Sequence, residues 1–167
     1  MGIIKNIEQA DEMFQKGSLY VPMFGRDIEV WIENEAEMDY AERCAEHLTA
    51  LSDEMIDTIC EKSVIYYQFM LEEWGDFEEV SGGILDEIRN TIPEDAEERD
   101  ILKYITSPSL YILSPEADDI GYSIECGCVW EPEHGLEIII RSNTVLYVGP
   151  AEGLGAWEDD DVYEIDY

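Results

Sequence analysis

The chain has 167 residues, of which 41 are Asp or Glu and 9 are Lys or Arg, so its formal net charge is -32. A surface of that sign repels phosphate backbones and anionic lipid headgroups, which argues against nucleic acid and membrane partners and favours a basic protein. Because 46% of the residues are hydrophobic, the chain is not an acidic disordered tail, since disorder needs low hydrophobicity as well as high net charge. We expect one folded domain at residues 1–150 and an acidic C-terminal tail at residues 151–167.

Two further features indicate a cytoplasmic protein. No apolar run approaches the roughly 20 residues of a membrane span, and the first residues lack the apolar stretch of a secretory signal. The cysteines are few for this length and are expected to be buried thiols in a reducing compartment: Cys44, Cys60, Cys126 and Cys128.

The first predicted elements are two strands that form an N-terminal β-hairpin, Leu19–Phe24 and Ile28–Glu33, joined by a turn at residues 25–27. In the second strand, apolar residues alternate with acidic ones at the period of a half-buried strand. Pro22 has no backbone amide to donate, so the first strand is expected at an edge of the sheet.

The apolar period becomes helical over Ala36–Trp74, which predicts two consecutive α-helices. Ser52 is placed to cap the second helix, and Gly75 is expected to end it. Two shorter helices should follow. One spans Ile84–Asn90, and the other begins at Pro93 and is anchored by Ile101, Leu102 and Ile105.

The pattern then returns to strands, which predicts a C-terminal antiparallel meander of Leu110–Leu113, Gly121–Trp130, Leu136–Arg141 and Val145–Val148. The predicted fold class is therefore α+β, with a mostly antiparallel sheet and helices packed on one face. Residues 152–167 carry seven acids and no base and are expected to extend off the sheet, unless four apolar residues dock them: Trp157, Val162, Tyr163 and Ile165.

Residues 126–136 read Cys-Gly-Cys-Val-Trp-Glu-Pro-Glu-His-Gly-Leu, a strand that ends in Trp and turns through His-Gly into the next strand. This segment resembles a motif of uncharacterised bacterial domains that include candidate immunity proteins of polymorphic toxin systems. The paired tyrosines Tyr66 and Tyr67, and the predicted helix around Ala41 and Cys44, are similar as well. The resemblance implies an α+β domain of unknown or immunity-type function and brings no established catalytic residues.

The first candidate site is this turn, with Trp130, Glu133 and His134. His134 beside Glu133 could act as a general base or as an interaction hot spot. In the structural interpretation, Gly135 supplies a positive φ, His134 or Glu133 caps backbone groups, and Trp130 fills the core. The structural interpretation is favoured, because a lone histidine without a nearby nucleophile is not an assembled catalytic site.

Two acidic runs are the other candidate binding residues, as surfaces for Lys and Arg side chains. They are Glu72, Glu73, Asp76, Glu78 and Glu79, and Glu158, Asp159, Asp160 and Asp161. The alternative is that both runs are only solvated faces. The second run lacks the alternating ligands and the central glycine of a calcium-binding loop.

We predict no metal and no cofactor. Cys126 and Cys128 could form a zinc site with His134, or with Cys44 and His47 on one helix face, but the Cys-x-x-Cys pairs of structural zinc sites are absent.

The sequence thus predicts a non-catalytic acidic protein that binds and neutralises a basic partner, such as a toxin or nuclease. One alternative is a small cytoplasmic interaction domain, for example a homodimer, whose charge serves only solubility. The other is a metal-assisted enzyme that uses Glu133 and His134.

Overall fold

The structure is a computed structural model that describes residues 2–76 and 86–167. The described residues form a seven-stranded sheet whose strands are neighbours in chain order. Its strands are β1 (Lys5–Gln9), β2 (Phe14–Val21), β3 (Arg26–Glu33), β4 (Ile105–Ile112), β5 (Gly121–Cys128), β6 (Leu136–Arg141) and β7 (Thr144–Gly149). Neighbouring strands are antiparallel except for β3 and β4, which are parallel.

Two helices, α1 (Met38–Thr49) and α2 (Asp53–Asp76), lie between β3 and β4 in the chain. A parallel strand pair needs a long crossover connection, and these helices belong to it. Residues 86–91 are also helical, and Glu98–Tyr104 form a 3-10 helix. As predicted, Ser52 caps α2, because its hydroxyl accepts the backbone amide of Met55 at 3.2 Å. The predicted α+β fold is confirmed.

The main core lies between the helices and one face of the sheet. The strand residues of this face are completely buried: Val21, Val30, Ile32, Leu110, Ile112, Ile124 and Ile138. On α1, Ala41, Cys44, Ala45 and Leu48 repeat at helical spacing and complete the layer. Burying one such aliphatic side chain stabilises the fold by roughly 1.5–3 kcal/mol, so this layer provides the main driving force for folding.

The N-terminal strands differ from the prediction in two ways. The edge strand is β1, and β2 is paired on both sides. Pro22 therefore does not mark an edge: β2 ends at Val21, and the proline lies in the turn that follows. Gly75 does not end the second helix either, because α2 includes it and continues to Asp76.

The region before the meander also differs. The helix expected from Pro93 is instead the short 3-10 helix, and Ile105 begins β4. Strand β4 thus starts well before the predicted Leu110, with an irregularity in its pairing to β5 between Thr106 and Ser109. Ser107, in this irregular stretch, has a φ of 46°, a conformation that residue type alone does not indicate.

The C-terminal segment docks on the sheet face opposite the helices. Ala156 and Tyr163 are buried there against Ile139 and Tyr147. A 3-10 helix, Asp160–Tyr163, lies within the segment. The expected extension off the sheet is therefore wrong, and docking through apolar residues is what occurs. None of the helices in the described ranges combines the length and apolarity needed to cross a bilayer.

Candidate functional site

The turn between β5 and β6 is anchored by Trp130, whose exposed fraction is 0%. Its ring packs edge to face with Tyr66 and Tyr67, with centroids 5.9 and 6.0 Å away. The carbonyl of Trp130 accepts the indole N–H of Trp74 at 3.3 Å. Trp130 thus holds the turn to α2 from inside the core and does not present its ring to a partner.

Glu131, which sequence reasoning did not single out, organises the turn. It is 5% exposed, and its Oε1 accepts the backbone amide of Glu133 at 3.0 Å. Its Oε2 lies 2.5 Å from Nδ1 of His134. The Glu131 carboxylate raises the pKa of His134, first by this hydrogen bond and then by its charge. The available signal was an acid three residues before a histidine, and of the chain's two histidines only His134 has one.

Glu133 and His134 are exposed at the tip of the turn, next to the buried Glu131. One ligand atom from each of these three residues falls within 4.8 Å of the others. One imidazole and two carboxylates can hold a divalent transition metal. The pairing of Glu131 with His134 also satisfies both groups without a metal.

The predicted alternatives for zinc are not assembled. In the described ranges, the one cluster of three metal-ligating side chains that meets this distance contains no cysteine. All four cysteines are buried free thiols. Burial raises the pKa of Cys44 to about 11 and that of Cys128 to about 12, which keeps these thiols protonated near neutral pH.

The structure describes the first acidic run only in part. Glu72 and Glu73 are exposed near the end of α2. Glu78, Glu79 and the side chain of Asp76 lie outside the described residues.

The second acidic run is part of the docked C-terminal segment, and Tyr163 of that segment holds it in place. The Tyr163 hydroxyl donates to the carbonyl of Gly155 at 2.7 Å and accepts the amide of Glu158 at 3.0 Å. Glu158, Asp159, Asp160 and Asp161 are all exposed around this anchor. Arg141 pairs with Asp160 at 2.8 Å. These carboxylates are displayed on an ordered backbone.

A second region that sequence reasoning missed is the part of the sheet face opposite the helices that the C-terminal segment leaves uncovered. Half-buried aromatic rings from three strands meet there: Phe14, Trp31 and Tyr111. Beside them lie Glu29 on β3 and Glu125 on β5, both in register with Ser109 on β4. We call Glu29, Trp31, Ser109, Tyr111 and Glu125 the aromatic-acidic face.

These features define an α+β domain built on one mixed sheet, with ordered acidic and aromatic surfaces. The chain belongs to a domain family of unknown function, DUF6985, whose family model matches residues 3–155. No curated protein and no solved structure matches the chain. The expectation of an uncharacterised domain family is therefore confirmed.

Proposed function

We propose that this chain is a non-catalytic acidic binding protein that neutralises a basic protein, in an immunity-type role against a toxin or nuclease. The observation that carries the proposal is the ordered display of Glu158–Asp161 by Tyr163. Carboxylates fixed before binding lose less conformational entropy on binding than those of an unanchored tail.

The lysine and arginine side chains of this protein leave most of its negative charge uncompensated. In the described ranges, the ion pairs of lysine and arginine engage Lys16, Arg99, Lys103 and Arg141, four of the nine basic residues. The surplus carboxylates repel one another, and a basic partner relieves that repulsion.

Complementary charge also determines which partners approach. A nuclease that attracts the phosphate backbone has a cationic groove, and the same groove attracts a dense carboxylate surface. An acidic protein seated there excludes the nucleic acid. Electrostatic steering can raise association rates by roughly ten- to a thousandfold at low ionic strength, which suits a protein that must intercept its target.

The test is to capture the partner, identify it, and assay it as a purified protein. The tagged chain is used to retain proteins from its native lysate at low salt, and each candidate is then purified separately. The proposal predicts a basic protein that forms a complex of fixed stoichiometry and whose activity falls in proportion to added chain. If every retained protein binds without saturation, or is not basic, the proposal is wrong and the charge serves solubility.

A metal-assisted function is the second candidate, favoured by the convergence of Glu131, Glu133 and His134 within 4.8 Å. Calorimetric titration with Zn²⁺ and with Mn²⁺ tests it. One-to-one binding that His134→Ala abolishes and that Glu54→Gln, at the opposite end of α2 from Trp74, leaves unchanged would support this candidate. The absence of saturable binding to the wild-type chain would eliminate it.

A further inference from the structure

We propose that the aromatic-acidic face is a docking site for an arginine- and lysine-containing segment of the basic partner. This inference rests on the proposed function and names the surface and the partner chemistry that carry it. Three features support this docking site: the strand register, one unpaired carboxylate, and a cation of this chain that already binds at the edge of the face.

The register places Trp31 and Tyr111 in one row across the strands, and Phe14, which pairs with Glu33, lies one row further along. Trp31 on β3 pairs with Tyr111 on β4, and their rings stack with centroids 6.2 Å apart and planes 6° from parallel. Phe14 on β2 meets both rings edge to face. The row is only half-buried, so the electron-rich ring faces remain partly accessible to a cation.

The next row along the strands supplies charge. Glu29, Ser109 and Glu125 are aligned on β3, β4 and β5. Because neighbouring strands lie about 4.8 Å apart, the two acidic positions are separated by about 10 Å, with a small serine between them. A guanidinium or ammonium group fits over that serine. Burial, and then the charges of Glu125 and Glu29, raise the pKa of Tyr111.

Glu125 is the unpaired carboxylate of this row. It is partly buried, and within the described residues its carboxylate has no hydrogen bond or ion pair. Burial, followed by the charge of Glu137, raises its pKa. A carboxylate in that environment is stabilised when a cation approaches it, which gives a basic ligand a preferred position on the face.

Lys16 shows how the face binds a cation. Its ammonium lies 5.3 Å from the centroid of the Trp31 ring and 2.9 Å from Oε1 of Glu29. The hydrogen bond from Lys16 lowers the pKa of Glu29. A partner side chain placed over Tyr111, between Glu29 and Glu125, would make the same two kinds of contact.

The docked C-terminal segment borders the face and adds to its negative field. The segment is bonded to Glu137, the β6 neighbour of Glu125 in the pairing register. Glu152 lies in this segment, and the acidic run at Glu158–Asp161 follows it in the chain. A basic segment longer than one residue would therefore find carboxylates beyond the central pair.

The test uses the full chain and a synthetic peptide of alternating arginine and glycine residues. Binding is followed in amide correlation spectra at low salt. Wild type is compared with the double variant Glu29→Gln/Glu125→Gln. The matched control is Glu54→Gln/Glu61→Gln, which removes the same two charges from exposed positions of α2.

The inference predicts that the peptide shifts the Trp31 indole signal and the amides around Ser109. It also predicts that the sheet double variant weakens binding about tenfold while the control changes it less than about twofold. Equal weakening by the two double variants would overturn the docking site and leave the proposed function standing. Failure of the wild-type chain to bind the peptide would overturn both. Preserved signal dispersion in each spectrum shows that the variant is folded.

Discussion

The backbone amide of Gly153 donates to the fully buried carboxylate of Glu137 at 3.0 Å. The amide of Glu152 donates to the same oxygen at 2.9 Å. A buried carboxylate needs such donors, because burial without them costs several kcal/mol. These bonds attach the start of the C-terminal segment to β6, so an acid in the sheet helps to position the acidic residues that follow.

Replacing Glu137 by glutamine should release this attachment. The amide keeps one acceptor oxygen but places an N–H₂ group against backbone donors, so we expect Glu137→Gln to lower the free energy of unfolding by about 2 kcal/mol. Urea denaturation measures the change, and hydrogen exchange of residues 152–155 should accelerate. The exposed Glu152→Gln is the control and should be neutral. An unchanged unfolding midpoint for Glu137→Gln would show that Glu137 does not hold the segment.

Gly135 and Gly25 provide a matched pair of substitutions. Both have positive φ, 69° and 64°, but a β-carbon at Gly135 would overlap the carbonyl oxygen of Cys126, whereas nothing lies within 4 Å of one at Gly25. Gly25→Ala should therefore cost about 1 kcal/mol from backbone strain alone. Gly135→Ala should cost clearly more and distort the turn. Similar denaturation midpoints for the two variants would contradict this geometry.

The pairing of His134 with Glu131 predicts a defined pH dependence. Because the folded-state pKa of His134 is raised, its contribution to stability is fully present below the unfolded value of about 6.5. That contribution is lost as the pH rises through the folded-state pKa. An NMR titration of His134 should give a pKa above about 6.5, and Glu131→Gln should lower it. A pKa that is the same in both proteins would exclude the pairing in solution.

The cysteines should be unreactive in the folded protein. Thiol reagents attack the thiolate, and burial both blocks access and raises the pKa of Cys60 to about 11 and of Cys126 still further. We expect no rapid labelling by an aromatic disulfide reagent at pH about 8, near the ordinary thiol pKa, and reaction of all four thiols after denaturation. Rapid modification of one thiol in the folded state would show that its surroundings open.

Much of the fold could be predicted because its elements have clear periods. Strand β6 spans Leu136–Arg141, as predicted. The apolar residues at helical spacing on α1 and α2 correctly predicted both helices. Strand β1 was missed because all five of its residues are exposed, so it has no apolar alternation. The start of β4 was missed because Ser107 and Pro108 read as a break in the pattern.

The functional surfaces were harder to predict than the elements. Glu131 and Glu137 are buried and hydrogen-bonded, but nothing in the sequence distinguishes them from the many exposed acidic residues. The aromatic-acidic face depends on register, because Glu29 and Glu125 are far apart in the chain and are aligned only through β4. The pattern of a single strand does not reveal which distant residues lie beside it.

The most direct test of the central claim is the affinity of the chain for its purified basic partner between about 50 and about 500 mM NaCl. If uncompensated carboxylates drive neutralisation, the dissociation constant should rise by more than about tenfold over this range, mainly through a slower association rate. The Glu29→Gln/Glu125→Gln variant should show a shallower dependence on salt. An affinity that is constant across the range would contradict the account, because the charge would then not be the basis of binding.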